Sequence, residues 1–219
     1  MKLVSLFSGC GGLDLGFKQA GFKFVWANEF DKSITPTLKK NFPRLKVDER
    51  SISCISAKEI PDCDGIIGGP PCQSWSAFGK QTGIQDSRGK LFNDYIRIIA
   101  EKKPAFFFAE NVKGLMFKKQ SKSVTKIMKA FTELGYNVSY GIFNTFNFNV
   151  PQNRLRVIII GYATSFREFF EPPKFARQNL NLKNSIYDLR KTAVPALRKY
   201  KPNPKVKISN HEYMTGKVS

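Results

Sequence analysis

Cys72 stands in Gly68-Gly69-Pro70-Pro71-Cys72-Gln73-Ser74-Trp75-Ser76, directly after the short apolar run Gly65-Ile66-Ile67. Two prolines fix φ just ahead of the thiol. Such a mounting suits a nucleophile, whose sulfur must be held at attack distance from a carbon centre. A structural thiol behaves as a small hydrophobe and needs no such support. Glu110 follows the apolar Pro104–Ala109 and is followed by Asn111, so its carboxyl emerges at the rim of buried surface, placed to give a proton. Gln152-Asn153-Arg154-Leu155-Arg156 sets two guanidinium groups two residues apart, on one side of an extended chain. Each feature alone also fits a plain structural role: an incidental cysteine in a proline-rich turn, a helix cap or surface ion pair, and the solvated edge of a basic face.

A second group of residues suits a ligand rather than a reaction. In Phe7-Ser8-Gly9-Cys10-Gly11-Gly12-Leu13-Asp14-Leu15-Gly16, Gly9, Gly11 and Gly12 let a backbone turn tightly and come close to a bound molecule. The spacing departs from G-x-G-x-x-G, which argues against a nicotinamide cofactor. Glu29 follows Phe24–Asn28, where an acidic side chain can accept hydrogen bonds from ribose hydroxyls. The two together suit an adenosine-containing ligand. The alternative is a close-packed turn that holds nothing.

The elements that would position these residues alternate along the chain. Lys2–Phe7, Phe24–Asn28, Gly65–Gly68, Ala105–Glu110, Tyr136–Phe143 and Val157–Tyr162 read as strands. Leu13–Ala20, Lys32–Asn41, Leu91–Lys102 and Ser121–Leu134 have helical spacing. This order predicts an α/β fold with a doubly wound, mostly parallel sheet. In such sheets ligands lie beyond the carboxyl ends of the strands, and every candidate residue above falls at a strand end.

At 219 residues and 42% hydrophobic, the chain can bury a full core. No apolar stretch is long enough to span a bilayer. The N-terminus runs straight into the glycine-rich turn, which leaves no room for a signal peptide. Four cysteines (Cys10, Cys54, Cys63 and Cys72) lack paired metal-ligand spacing, so no metal site is expected and a reduced, cytoplasmic setting is. The net charge of +19 favours a polyanionic partner, most simply nucleic acid. From Lys174 onward there are eleven Lys and Arg against Asp188 and Glu212, with prolines throughout. The expected division is therefore a catalytic and cofactor-binding domain over 1–170 and a basic, extended tail over 171–219.

Taken in order, these motifs resemble those of the DNA (cytosine-5) methyltransferases. Phe7–Gly16 is similar to the family's first cofactor motif and Gly68–Ser76 to its nucleophile loop. Glu110-Asn111-Val112 is similar to its general-acid motif and Gln152–Arg156 to its arginine motif. The wording of Asp86–Phe92 and Asn210-His211-Glu212 resembles the restriction–modification branch, particularly methylases of GGCC sites. The resemblance implies a Rossmann-like methyltransferase fold and S-adenosylmethionine as cofactor. It implies that Cys72 attacks carbon 6 of cytosine in double-stranded DNA while Glu110 engages N3. Arg156, supported by Arg154, would bond O2, and Asn111 would hold the nucleophile loop. Phe7, Gly9, Gly11, Gly12, Leu13, Glu29, Pro70 and Leu91 match cofactor-contacting positions. Gln73, Ser74, Ser76 and Arg88 match positions that meet a flipped nucleotide.

Two departures qualify the resemblance. Ser51 stands where the family usually has an Asp on the adenine amino group, which implies weaker cofactor affinity unless Asp48 or Glu49 substitutes. The sequence also stops just after Asn210-His211-Glu212-Tyr213, where a target-recognition domain normally begins, which leaves three readings open: a split enzyme whose partner chain carries that region and the later motifs, a gene truncated by a frameshift, or an incomplete piece of a longer protein. Two rival readings are a nucleic-acid-binding remnant without turnover and an RNA cytosine-5 methyltransferase. No membrane partner is expected.

Overall fold

The computed structural model describes residues 1–71, 87–117 and 120–166, with the backbone alone at 87–90. All belong to the first of two units into which the chain divides, Met1–Leu180. Seven strands form one sheet: β1 (Lys2–Leu6), β2 (Lys23–Asn28), β3 (Val47–Asp48), β4 (Gly65–Gly68), β5 (Phe106–Val112), β6 (Tyr136–Asn144) and β7 (Leu155–Ala163). Four helices connect them: α1 (Gly12–Gln19), α2 (Thr35–Asn41), α3 (Ser87–Lys102) and α4 (Ser121–Glu133). The expected alternation is therefore present, with the two-residue β3 added at an edge.

The spatial order is β3-β2-β1-β4-β5-β7-β6. β1 pairs in parallel with both β2 and β4, and β4 with β5. β7 runs antiparallel between β5 and β6. The chain winds outward from β1 to β3, then returns to β4 on the other side of β1. That reversal opens a crevice at the carboxyl ends of β1 and β4, where doubly wound sheets bind ligands.

One face of the sheet is covered by α3 and α4. Phe92, Tyr95, Ile98 and Ile99 of α3 repeat at helical spacing, as do Val124, Ile127 and Phe131 of α4, and all are buried. Phe131 stacks on Phe107 of β5 at 4.0 Å between ring centroids. The Tyr95 hydroxyl, sealed in this core, donates to the Phe108 carbonyl at 2.9 Å, as a buried phenol must. On the opposite face Phe17 of α1 packs edge-on against Phe108, and Phe22 against Phe106. Alternation along β5 thus sends Phe107, Ala109 and Asn111 to the α3/α4 face, and Phe106, Phe108 and Glu110 to the α1 face.

Candidate active site

The antiparallel β7 turns two distant motifs into neighbours. Its first residues lie beside the last residues of β5, with Arg156 opposite Val112 and Ile158 opposite Glu110. Arg156 therefore shares a face with Glu110 and sits diagonally from it, within reach of a long side chain. Arg156 Nε donates to Glu110 Oε1 at 2.6 Å, and both side chains are partly exposed. The second carboxylate oxygen faces Gly69, where a Cβ would come within 3.5 Å. Arg154 lies just before β7, its N–H donating to Asn144 Oδ1 at 3.2 Å.

Asn111, on the other face of β5, is 4% exposed. Its Nδ2 donates to the Pro70 carbonyl at 3.1 Å and its Oδ1 accepts from the Val112 N–H at 2.9 Å. The amide thus ties β5 to the chain entering the Cys72 loop, two residues before the thiol.

The glycine-rich turn forms the other wall. Phe7 adopts a left-handed φ of 55°, a strained state for an aromatic residue that turns the chain sharply out of β1. Gly9 follows at φ 56°, and a Cβ there would meet nothing within 4 Å, so its open side is available to a ligand. Gly11 differs. At φ 85° its missing Cβ leaves room for Phe42 and Leu38, which a Cβ would meet at 2.5 and 2.9 Å. Packing against α2 explains Gly11 without a ligand. Glu29, at the end of β2, accepts from the Gly9 N–H at 2.7 Å and the Asp31 N–H at 2.8 Å. Each of its oxygens retains a second acceptor position.

A cavity of about 830 Å³ joins the two walls, within the range of cofactor sites. Phe7, Gly9, Gly12, Leu13, Glu110, Arg154 and Arg156 line it, together with Gly68 and Gly69. Gly11, Glu29, Ser51, Pro70 and Leu91 do not line it. Glu29 and Pro70 are each one hydrogen bond from residues of the site, and Leu91 packs against the α3/α4 core. Asn28 Nδ2 donates to the carbonyls of Asp48 and Arg50, which fixes the chain leading to Ser51. Neither acidic neighbour is available to replace a missing Asp there. Asp48 pairs with Arg50 at 2.7 Å, which holds its carboxyl below the usual range, and Glu49 pairs with Lys39 at 3.1 Å.

Residues not singled out from the sequence also line the cavity, notably Phe143, Thr145, Phe148 and Asp14. Asp14 belongs to the first turn of α1 and is fully buried. Burial pushes its carboxyl pKa up; the nearby Ser5 hydroxyl and the Asp14 N–H oppose this only in part, and neither makes a hydrogen bond of ordinary geometry to the carboxylate. Its position within the glycine-rich motif was the available signal. Cys63 is half-buried, and desolvation raises its thiol to about 11, which leaves it unreactive at neutral pH. Cys72, Gln73, Ser74, Ser76 and the Arg88 side chain lie outside the described residues, as does the tail. Among the described residues no cluster of metal-ligating side chains occurs, and no helix is long and apolar enough to cross a membrane.

Residues 1–218 match the family model for C-5 cytosine-specific DNA methylases. The chain belongs to that family. It is 48% identical to the type II methyltransferase M.FnuDI of Fusobacterium nucleatum over all of its own length and 64% of that protein. It is 46% identical to M.NgoPII of Neisseria gonorrhoeae over all of its length and 65% of that protein. This C-5 cytosine methylase chain thus spans about two thirds of the length of these curated relatives. A solved DNA modification methyltransferase of an Escherichia coli prophage superposes with a TM-score of 0.74 at 31% identity, over 85% of this chain and 54% of that one. A Spodoptera frugiperda DNMT2 structure shares the fold at a TM-score of 0.65 and 24% identity, over 82% and 56%. The Rossmann-like methyltransferase sheet is therefore common to this chain and these two solved structures.

Proposed function

We propose that this chain is the catalytic part of a cytoplasmic restriction–modification enzyme that methylates carbon 5 of cytosine in double-stranded DNA. The observation that carries the reading is the Glu110–Arg156 pair on the wall of the same cavity as the glycine-rich turn. That juxtaposition puts an acid and a fixed cation beside a glycine-rich pocket suited to adenosine, next to Gly69 in the chain that leads to Cys72. S-adenosylmethionine, when bound, supplies an electrophilic methyl group on a sulfonium. The cavity suits it: Gly9 and Gly12 leave open backbone, Phe7 offers a ring for adenine, Leu13 backbone contacts, and Glu29 acceptors for ribose.

Carbon 5 of cytosine is a poor nucleophile. The Cys72 thiolate adds to carbon 6, and Glu110 hydrogen-bonds or protonates N3, so ring electrons collect at carbon 5 as an enamine. Arg156 and Arg154 stabilise the charge growing on O2. With the cofactor bound, carbon 5 would take the methyl group from the sulfonium, the bonding pair being left on the cofactor's sulfur. Loss of the carbon 5 proton then returns electrons to the ring and expels the thiolate. Asn111 holds the Cys72 loop at its base through Pro70. Because the ring face must be reached, the base leaves the helix, with Gln73, Ser74, Ser76 and Arg88 meeting it. The basic segment 171–219 leads toward a target-recognition region.

Labelled S-adenosylmethionine and duplex DNA containing GGCC test the reading, with and without the recognition region supplied in trans. Wild type is expected to transfer label and Cys72→Ser to fall at least about a thousandfold while keeping its cofactor affinity. Absence of transfer under both conditions would support a non-catalytic remnant instead.

A further inference from the structure

Asp14 is the one described residue whose buried side-chain oxygens both lack a hydrogen-bond partner. It is wholly inaccessible to solvent, yet its residue borders the cavity beside Ser5, Ser8 and Gly68. The Ser8 hydroxyl is committed to Ser5 Oγ at 2.8 Å, so these hydroxyls form a short polar seam next to the carboxylate. Leaving a buried charge uncompensated is unfavourable, and no cation of the described residues pairs with it. Such a group suits a positive partner that the described residues do not supply.

The position says which part of a ligand would meet it. β1 lies between β2, which carries Glu29, and β4, which leads to Gly69 beside Glu110. Asp14 therefore sits between the ribose end and the reacting end. Resting on the cofactor reading above, we infer that Asp14 is the counter-ion for the α-ammonium group of the methionine part of S-adenosylmethionine, met through the Ser5–Ser8 hydroxyls. The ammonium carries N–H donors that match two empty acceptors, whereas the sulfonium carries none. A carboxylate against the sulfonium would also stabilise a charge that disappears during transfer, and so would slow the reaction. The ammonium charge is the same before and after it.

Calorimetric titration of the 219-residue chain with three ligands tests this: S-adenosylmethionine, S-adenosylhomocysteine and 5′-methylthioadenosine, which lacks the amino-acid end. Asp14→Asn is expected to weaken the first two by about tenfold each and to leave methylthioadenosine within twofold. Unchanged binding of methylthioadenosine also reports that the variant is folded. Equal binding of all three ligands by variant and wild type would overturn the inference and leave the cofactor reading intact. Equal weakening of all three would assign Asp14 a structural role, and loss for S-adenosylmethionine alone would assign it to the sulfonium. Failure of the wild type to bind any of them would overturn the cofactor reading itself.

Discussion

The two walls of the cavity handle charge in opposite ways. On the β5–β7 wall Glu110 and Arg156 neutralise each other at 2.6 Å in a partly exposed setting, so that wall is electrostatically complete. On the β1–α1 wall Asp14 is buried with both oxygens unpartnered. A paired acid and base can be assembled by strand register alone and can stand ready for a substrate. An unpaired buried acid makes sense where a cationic ligand completes the fold of the site. On the proposed reading, one wall does the chemistry and the other is completed by what it binds.

The largest effect should come from breaking the complete wall. Arg156→Ala leaves Glu110 without its partner and removes the donor proposed for O2. Methyl transfer should fall by about 10²–10³, the usual cost of one such donor, with S-adenosylhomocysteine affinity within twofold. Arg156→Lys should recover only part, because an ammonium cannot reproduce the planar donor geometry. An equal loss in cofactor affinity would show that the two walls are not separable.

A smaller effect should separate two glycines of the same turn. Gly11→Ala drives a Cβ into Phe42 and Leu38 at a left-handed φ, and should cost about 1–3 kcal/mol of stability by overpacking. Gly9→Ala meets open space, so it should cost about 1 kcal/mol from φ alone while impairing cofactor binding more than Gly11→Ala does. Denaturant midpoints and ligand titration of both variants check the order.

The smallest effect concerns ligand-free stability. Burial raises the Asp14 pKa in the folded state, so its ionisation is resisted by the fold. Stability is then present below the unfolded pKa and is lost as pH rises through the folded one. Asp14→Asn, which cannot ionise, should therefore melt higher than wild type by about 2–4 °C at pH 8, the gap narrowing as pH falls. A gap that widens on acidification would contradict the burial argument.

Much of this frame was legible from the residues. Six strands and four helices lie near their expected places because apolar runs and helical spacing follow the core directly. Three outcomes were not. Lys32–Asn41 begins its helix only at Thr35, since Asp31 accepts from the Ser33 N–H and hydroxyl and holds a turn there. β3 has only two residues and no apolar run to announce it. Asn111, expected just past a strand ending at Glu110, lies within β5, because β7 pairs alongside and extends it to Val112. The site's division was hidden for a related reason. Gly11 owes its place to Phe42 on another helix, and Asp14 reads in sequence as an ordinary polar residue of an amphipathic turn. Both depend on contacts that only the folded sheet creates.

The central claim is that Cys72 attacks the target base while Glu110 and Arg156 engage its ring. A duplex carrying 5-fluorocytosine at the target position tests it directly, because a fluorine on carbon 5 cannot leave as a proton does and the adduct persists. With S-adenosylmethionine present, and the recognition region supplied in trans, the account predicts a denaturant-resistant chain–DNA adduct. Its modified peptide should contain Cys72, and the adduct should vanish in Cys72→Ser. An adduct mapped to Cys10 or Cys54, or methyl transfer to ordinary cytosine with no adduct at all, would contradict it.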